Sequence, residues 1–322
     1  MLGLVAVGGA VLVDTGPEEE EDSGTPPNSG TDGDGLDGGF IEPGGSTVTG
    51  TENNDVLAGS GVAESLFGGA GDDQIGGYGG SDWIDGGAGS DLLYGQDGDD
   101  SLFGGDGFDL LHGEDGGDWL EGGTGGDSLY GHSGDDRLLG GSGADLLHAG
   151  QGQDWLEGGA DQDTLHGNDG DDSLAGGAGE DALFGGYGND VVSGAGDGMD
   201  QDYVNGGDGD DSLIAGAGDV LTGGGGADQF MVGSWTGSGE AVQLMDYDAA
   251  EDQLVVVWDF EDGEEPTVEV RQNPAAAAEK LILVNGRAAM RVSGAEGLTA
   301  ADLVLIDQES AAGTGLLPQS SS

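Results

Sequence analysis

The stretch GGAGSDLLYGQDGDDSLFGGDGFDLLH, residues 86–112, repeats one nine-residue unit three times. Each copy has a glycine-rich run, an Asp at its sixth position (Asp91, Asp100, Asp109) and an apolar residue two places later (Leu93, Leu102, Leu111). Working outward, the phase runs unbroken from Asp55 to Asp190, with Glu64 as its one substitution. A three-residue insertion around Gly194 to Gly196 moves it to Asp202 and Asp211. A one-residue deletion then moves it to Asp219, and GGGGADQF closes the array at Asp228. The unit is GGxGxDxUx, where U is apolar.

Each position carries a physical demand. Glycines supply positive-φ conformations and close backbone approach, so the first six residues are expected to turn and the last three to form a strand. Side chains alternate across a strand, so U points one way and its neighbours the other. One inward Leu per nine residues makes no core alone, but stacked repeats pile the U residues into a continuous ladder. The second position runs Gly69, Tyr78, Gly87, Gln96, Gly105, Glu114, Gly123, His132, Gly141, Gly150, Gly159, Asn168, alternating glycine with something larger apart from Gly150. That alternation predicts two repeats per coil; a 36-residue similarity, with Asp82-Trp83, Asp118-Trp119 and Asp154-Trp155 in register, is the alternative source of it. The expected fold is all-β, a parallel β-solenoid with 18 residues per coil. Within it Leu120 faces inward and Ser128 outward.

The chain has 322 residues, with 75 Gly, 65 Asp or Glu, only 5 Lys or Arg, and a formal net charge of -60. Such a surface repels phosphate, which argues against nucleic acid and anionic lipid as partners. There is no Cys, so disulfides, thiolate metal sites and cysteine nucleophiles are excluded. Residues 50–231 hold 39 of the acidic residues and one basic residue, Arg137. Stacked turns that each carry Asp place carboxylates about 4.8 Å apart, a repulsive column unless a cation lies between them. Calcium suits it, because it accepts six to eight carboxylate and carbonyl oxygens, whereas magnesium demands octahedral geometry and keeps its waters. Zinc wants His or Cys at ligand spacing, which is not what repeats here.

The units GGAGDDQIG (68–76), GGAGSDLLY (86–94) and GGDGFDLLH (104–112) resemble the RTX (repeats-in-toxin, hemolysin-type) calcium-binding nonapeptide. The resemblance covers about residues 50–231 and implies a parallel β-roll with multiple Ca2+ ions held between turns. Their ligands would be turn carbonyls and the sixth-position carboxylates Asp73, Asp82, Asp91, Asp100, Asp109, Asp118, Asp127, Asp136, Asp145, Asp154, Asp163, Asp172, Asp181, Asp190, Asp202, Asp211, Asp219 and Asp228. It also implies a secreted, extracellular protein that meets a type I secretion apparatus in transit. Three departures predict weak or altered sites: Asp161 and Asp200 replace the fourth-position Gly, and Glu64 replaces the liganding Asp. The insertion near Gly194 predicts a bulged coil.

The flanks read differently. Residues 1–16 form an apolar N-terminal segment whose run Leu2 to Val13 is too short to span a bilayer as a helix. Residues 17–49 are acidic and rich in Gly, Pro and Ser, and read as a disordered linker. Residues 232–307 regain Val, Leu, Ile and four of the five basic residues, and are expected to form a β-rich module capping the roll. Within it, Asn285-Gly286 between two strand-like runs predicts a type I' hairpin. Residues 308–322 read as a frayed tail.

Outside the Asp array, Trp83, Trp119 and Trp155 recur on one sheet, and Tyr94, His112, Tyr130, His148, His166 and Phe184 on the other. Such columns offer a glycan or cell-surface partner a face to stack on, or are outward residues copied by duplication. The histidines, including a His148–His166 pair, show no HExxH pattern, and there is no GxSxG elbow. The expectation is no enzyme. The alternatives are an interaction protein using these columns or the C-terminal module, and an accessory part of a secreted enzyme.

Overall fold

A computed structural model describes residues 47–196, 200–233, 240–258 and 266–307. The N-terminal segment, the linker up to residue 46 and the tail 308–322 lie outside the described residues.

The described chain is a parallel β-solenoid. Strands alternate between a 13-stranded and a 14-stranded sheet, so two consecutive nonapeptides complete one coil. Ser128, Leu129 and Tyr130 pair in parallel with Leu146, Leu147 and His148 in one direction and with Leu110, Leu111 and His112 in the other, an 18-residue register each way. The U residues meet along the axis in one continuous cluster running from Leu57 to Leu298, with Leu93, Leu102, Leu111, Leu120 and Leu129 fully buried.

The strands are longer than the unit suggests. Ser128–Ser133 takes in the last three residues of one nonapeptide and the first three of the next, leaving three residues to turn the corner. The difference has a backbone cause. The fourth-position N–H of Gly107 donates to the Thr124 carbonyl one coil on, and the Ser128 N–H donates to the Asp109 carbonyl one coil back. Coil-to-coil bonding thus runs through the glycine segment as well. The bend survives within it, because Tyr78, Gln96, Glu114, His132 and Asn168 at the second position hold φ of 74–79°, the left-handed basin.

The linker reading fails at its last three residues. Thr47–Thr49 pairs in parallel with Ser65–Phe67, because Val48 stands one coil before Leu66 and packs against the same core. At the other end both sheets continue into the C-terminal segment. Gln253–Trp258 pairs in parallel with Gln229–Gly233, and Val242–Leu244 with the strand Val220–Gly225. Arg287–Ser293 and Leu303–Asp307 extend the two sheets by one further strand each. Glu279–Val284 and Val268–Gln272 then turn antiparallel. Asn285 and Gly286, with φ of 52° and 80°, make the tight hairpin between Val284 and Arg287.

Leu120 is fully buried and Ser128 half-buried on the outer side. Leu120→Asp places a charge among apolar side chains, a cost of several kcal/mol. It is expected to abolish most of the β circular dichroism signal, whereas Ser128→Asp leaves it close to that of the unsubstituted chain. Equal losses would reverse the inward and outward assignment.

Candidate metal centre

Every sixth-position acid from Asp55 to Asp228 is buried, at 0–4% exposure. Burying so many carboxylates is costly unless each is compensated. Half of the compensation is visible. One carboxylate oxygen accepts the backbone N–H of the acid one coil earlier: Asp118 N–H donates to Asp136 Oδ1 at 2.8 Å, and Asp136 N–H to Asp154 Oδ1 at 2.7 Å. The register is 18 residues up to Asp190. It becomes 21 where the insertion falls (Asp181 to Asp202, Asp190 to Asp211) and 17 beyond it (Asp202 to Asp219, Asp211 to Asp228). The bulged coil thus absorbs its extra residues without breaking the column.

The second oxygen is different. Oδ2 of every phase Asp from Asp73 to Asp190, and of Asp211, is buried with no hydrogen-bond partner. It lies beside the first-position glycine. A Cβ placed on Gly122 would sit 2.5 Å from Asp127 Oδ2 and 2.7 Å from the Gly140 carbonyl oxygen of the next coil. An unpartnered carboxylate oxygen and a carbonyl oxygen therefore converge on one small space that the first-position glycine leaves clear. Further along the turn, a Cβ on Gly105 or Gly107 would collide with the carbonyl oxygen of Gly87 or Gly89, so these carbonyls also point from one coil toward the next. The donors are all oxygens, from carboxylates and backbone carbonyls, and they suit a hard divalent cation such as calcium.

Burial pushes these carboxyls upward, opposed by the N–H each accepts and reinforced by neighbouring Asp charges. Asp136 and Asp163 rise to about 8, and Asp109, Asp118, Asp154 and Asp190 to about 7. Without a cation, the column is thus poised to hold protons near neutral pH.

The ends of the array are closed by other means. Asp55 Oδ2 accepts the N–H and hydroxyl of Thr51, and the Glu64 carboxylate accepts the N–H and hydroxyl of Ser60. At Glu64 the expected departure is therefore a carboxylate satisfied within its own turn. Asp161 takes φ of 78°, and its carbonyl faces Gly179 as those of fourth-position glycines do. At the C-terminal end Asp252 Oδ1 accepts the Asp228 N–H, while Asp246 accepts those of Gly223 and Gly224. Sequence reading missed Asp246 and Asp252, whose spacing from the array is irregular. It also missed Ala149, which carries a methyl group at a first position where its neighbours are glycine. The break of glycine at that position was the available signal.

The aromatic columns are present. Tyr94, His112, Tyr130, His148, His166 and Phe184 stack in sequence at 4.5–5.4 Å with planes within 10°. His148 and His166 lie face to face at 4.5 Å and 4°, a geometry that aims their nitrogens side by side rather than at one point. On the other sheet the Arg137 guanidinium sits between Trp119 and Trp155, 4.5 and 3.9 Å from the ring centroids.

The fold and this column define a calcium-binding repeat protein. The family profile of the RTX calcium-binding nonapeptide repeat matches seven overlapping or adjoining stretches that together span residues 49–198 and 205–234. The chain belongs to that family. Comparison with curated proteins gives no significant match.

Proposed function

We propose that this is a secreted, non-enzymatic protein that binds many Ca2+ ions between its stacked turns, with folding coupled to binding. One observation carries the reading: a buried column of aspartates in which every phase Asp from Asp73 to Asp190 has one oxygen held by backbone and the other without a hydrogen-bond partner. Calcium would be held by these carboxylates and by turn carbonyls, and would supply the positive charge the column lacks. Of residues 50–231, 39 are acidic and one is basic, a local net charge of 1 - 39 = -38. About 16 divalent ions, close to one per ligand-bearing turn, bring roughly 32 positive charges. Atomic emission on the dialysed chain in millimolar calcium is expected to find more than ten ions per chain. Two or fewer would overturn the reading.

Family membership supports export through a type I apparatus, and a chain that folds only where calcium is plentiful suits passage in an unfolded state. Among the described residues no helix is long and apolar enough to cross a membrane. The sequence carries no HExxH pattern and no GxSxG elbow, and its recurring carboxylates are accounted for by the column. The alternative, a glycan or cell-surface partner stacking on the aromatic columns, needs free ring faces. In the histidine–tyrosine column each inner ring spends both faces on its neighbours, and Arg137 covers one face each of Trp119 and Trp155.

A further inference from the structure

The outer surface of the 14-stranded sheet carries a second cluster of metal-ligating side chains that shares no residue with the aspartate column. His112 occupies a ninth position in the strand Leu110–Asp115, lying flat between the rings of Tyr94 and Tyr130, 4.9 Å from each. Clamped on both faces, the imidazole presents only its edge. That edge meets His132, one coil on in the strand Ser128–Ser133, with His112 Nδ1 2.9 Å from His132 Nε2. His132 in turn pairs in register with Glu114, whose Oε1 lies 3.9 Å from the same Nε2. The three ligand atoms all fall within 4.8 Å of one another.

We propose that His112, Glu114 and His132 bind one divalent first-row transition ion, with zinc the best fit, and so clip two neighbouring coils together from outside. Zinc binds imidazole nitrogen at about 2.0–2.1 Å and carboxylate oxygen at about 2.0–2.2 Å. The two nitrogens face each other edge to edge and share a proton, 2.9 Å apart with ring centroids 5.2 Å apart; an ion about 2.0–2.1 Å from both would replace that proton, with His132 turning its lone pair off the N–N line and an N–metal–N angle of roughly 90°. Opening this toward the tetrahedral value moves them apart by only a few tenths of an ångström. Glu114 supplies the third ligand and an anionic charge, and its half-exposed side chain is free to swing inward. Solvent supplies the fourth position. The two nitrogens separate this site from the all-oxygen column, because imidazole suits zinc-class ions whereas calcium takes oxygen.

Local sequence confines the site to one place. Around His148, the residues equivalent to Glu114 and His132 are Gly150 and Asn168, neither of which offers an imidazole or a carboxylate. These neighbours also supply gentle test variants. Asn168 and Gln96 hold φ of 77° and 79° at equivalent second positions, so His132→Asn and Glu114→Gln keep the backbone.

The test is isothermal titration of zinc into the calcium-saturated full chain, with the calcium midpoint of the β signal checked for each variant. One zinc per chain is expected above any weaker carboxylate binding. Glu114→Gln should weaken it at least ~10-fold and His132→Asn ~100-fold, while His166→Asn leaves it unchanged. No saturable zinc, unchanged affinity in both His132→Asn and Glu114→Gln, or an equal loss in His166→Asn would each overturn the site. Should His132→Asn fail to fold, Glu114→Gln decides. Because calcium is saturating throughout, failure here leaves the calcium reading standing.

Discussion

Chelating calcium at pH 8 is expected to abolish most of the β circular dichroism signal, and millimolar calcium to restore it in one cooperative transition. The reason lies in the unpartnered oxygens. Two unit charges one strand spacing apart, about 4.8 Å, repel by roughly 0.9 kcal/mol even at the dielectric of bulk water, and by more in a buried turn. A dozen such neighbours oppose a net stability that for folded domains is only ~5–15 kcal/mol. Nearest-neighbour stacking, in which each coil rests only on the next, makes the loss spread along the array. Binding ions to the folded state alone then stabilises it by mass action, so the thermal unfolding midpoint rises as calcium rises. A β signal that persists in chelator at pH 8 would mean that the column tolerates its own charge.

Acid is expected to substitute for calcium. Asp82, Asp109, Asp136 and Asp163 stand at about 6 to 8, above their ordinary value of 3.8, so between those limits the folded roll binds protons that the unfolded chain does not. Stability from this source is complete below about pH 4 and is lost as pH rises through 6 to 8. The calcium-free chain brought from pH 8 to pH 5 should therefore gain β structure. Over the same window protons compete with calcium, so the loaded chain should release its ions while keeping its fold. A general fall in net charge would also favour collapse, and two variants separate the causes. Asp136→Asn, a neutral mimic at a buried position, should stabilise the calcium-free roll at pH 8, while Asp115→Asn on the exposed side should not. If the calcium-free chain shows the same spectrum at pH 8 and pH 5, the buried carboxyls are not the groups that oppose folding.

The repeating part of this architecture was readable because its demands are local. The phase of Asp73 to Asp190, the inward Leu ladder and the 18-residue coil each follow from what one nonapeptide asks of glycine, Asp and an apolar residue. What escaped depends on register between coils. Arg137 stands 18 residues from both Trp119 and Trp155, and only knowledge of the coil length turns that spacing into a stack. His132 follows His112 by 20 residues, one coil plus the step from a ninth to a second position, which a search for histidines in equivalent places passes over. Asp252 joins the column 24 residues after Asp228, where the period has already failed. The strand length escaped for another reason: glycine reads as turn, yet its N–H and carbonyl still bond to the adjacent coil.

The 18-residue parallel register also has a mechanical side. In the roll, each coil advances the chain by only one strand spacing, about 4.8 Å, whereas the same 18 residues drawn out would reach roughly 60 Å. Backbone ladders and Asp N–H to Asp Oδ1 bonds join coil to coil along the whole array, and on the proposed function calcium decides whether they hold. On that reading the array is expected to act as a tether whose slack is set by the surrounding salt, lengthening up to ~tenfold under tension when calcium is withdrawn.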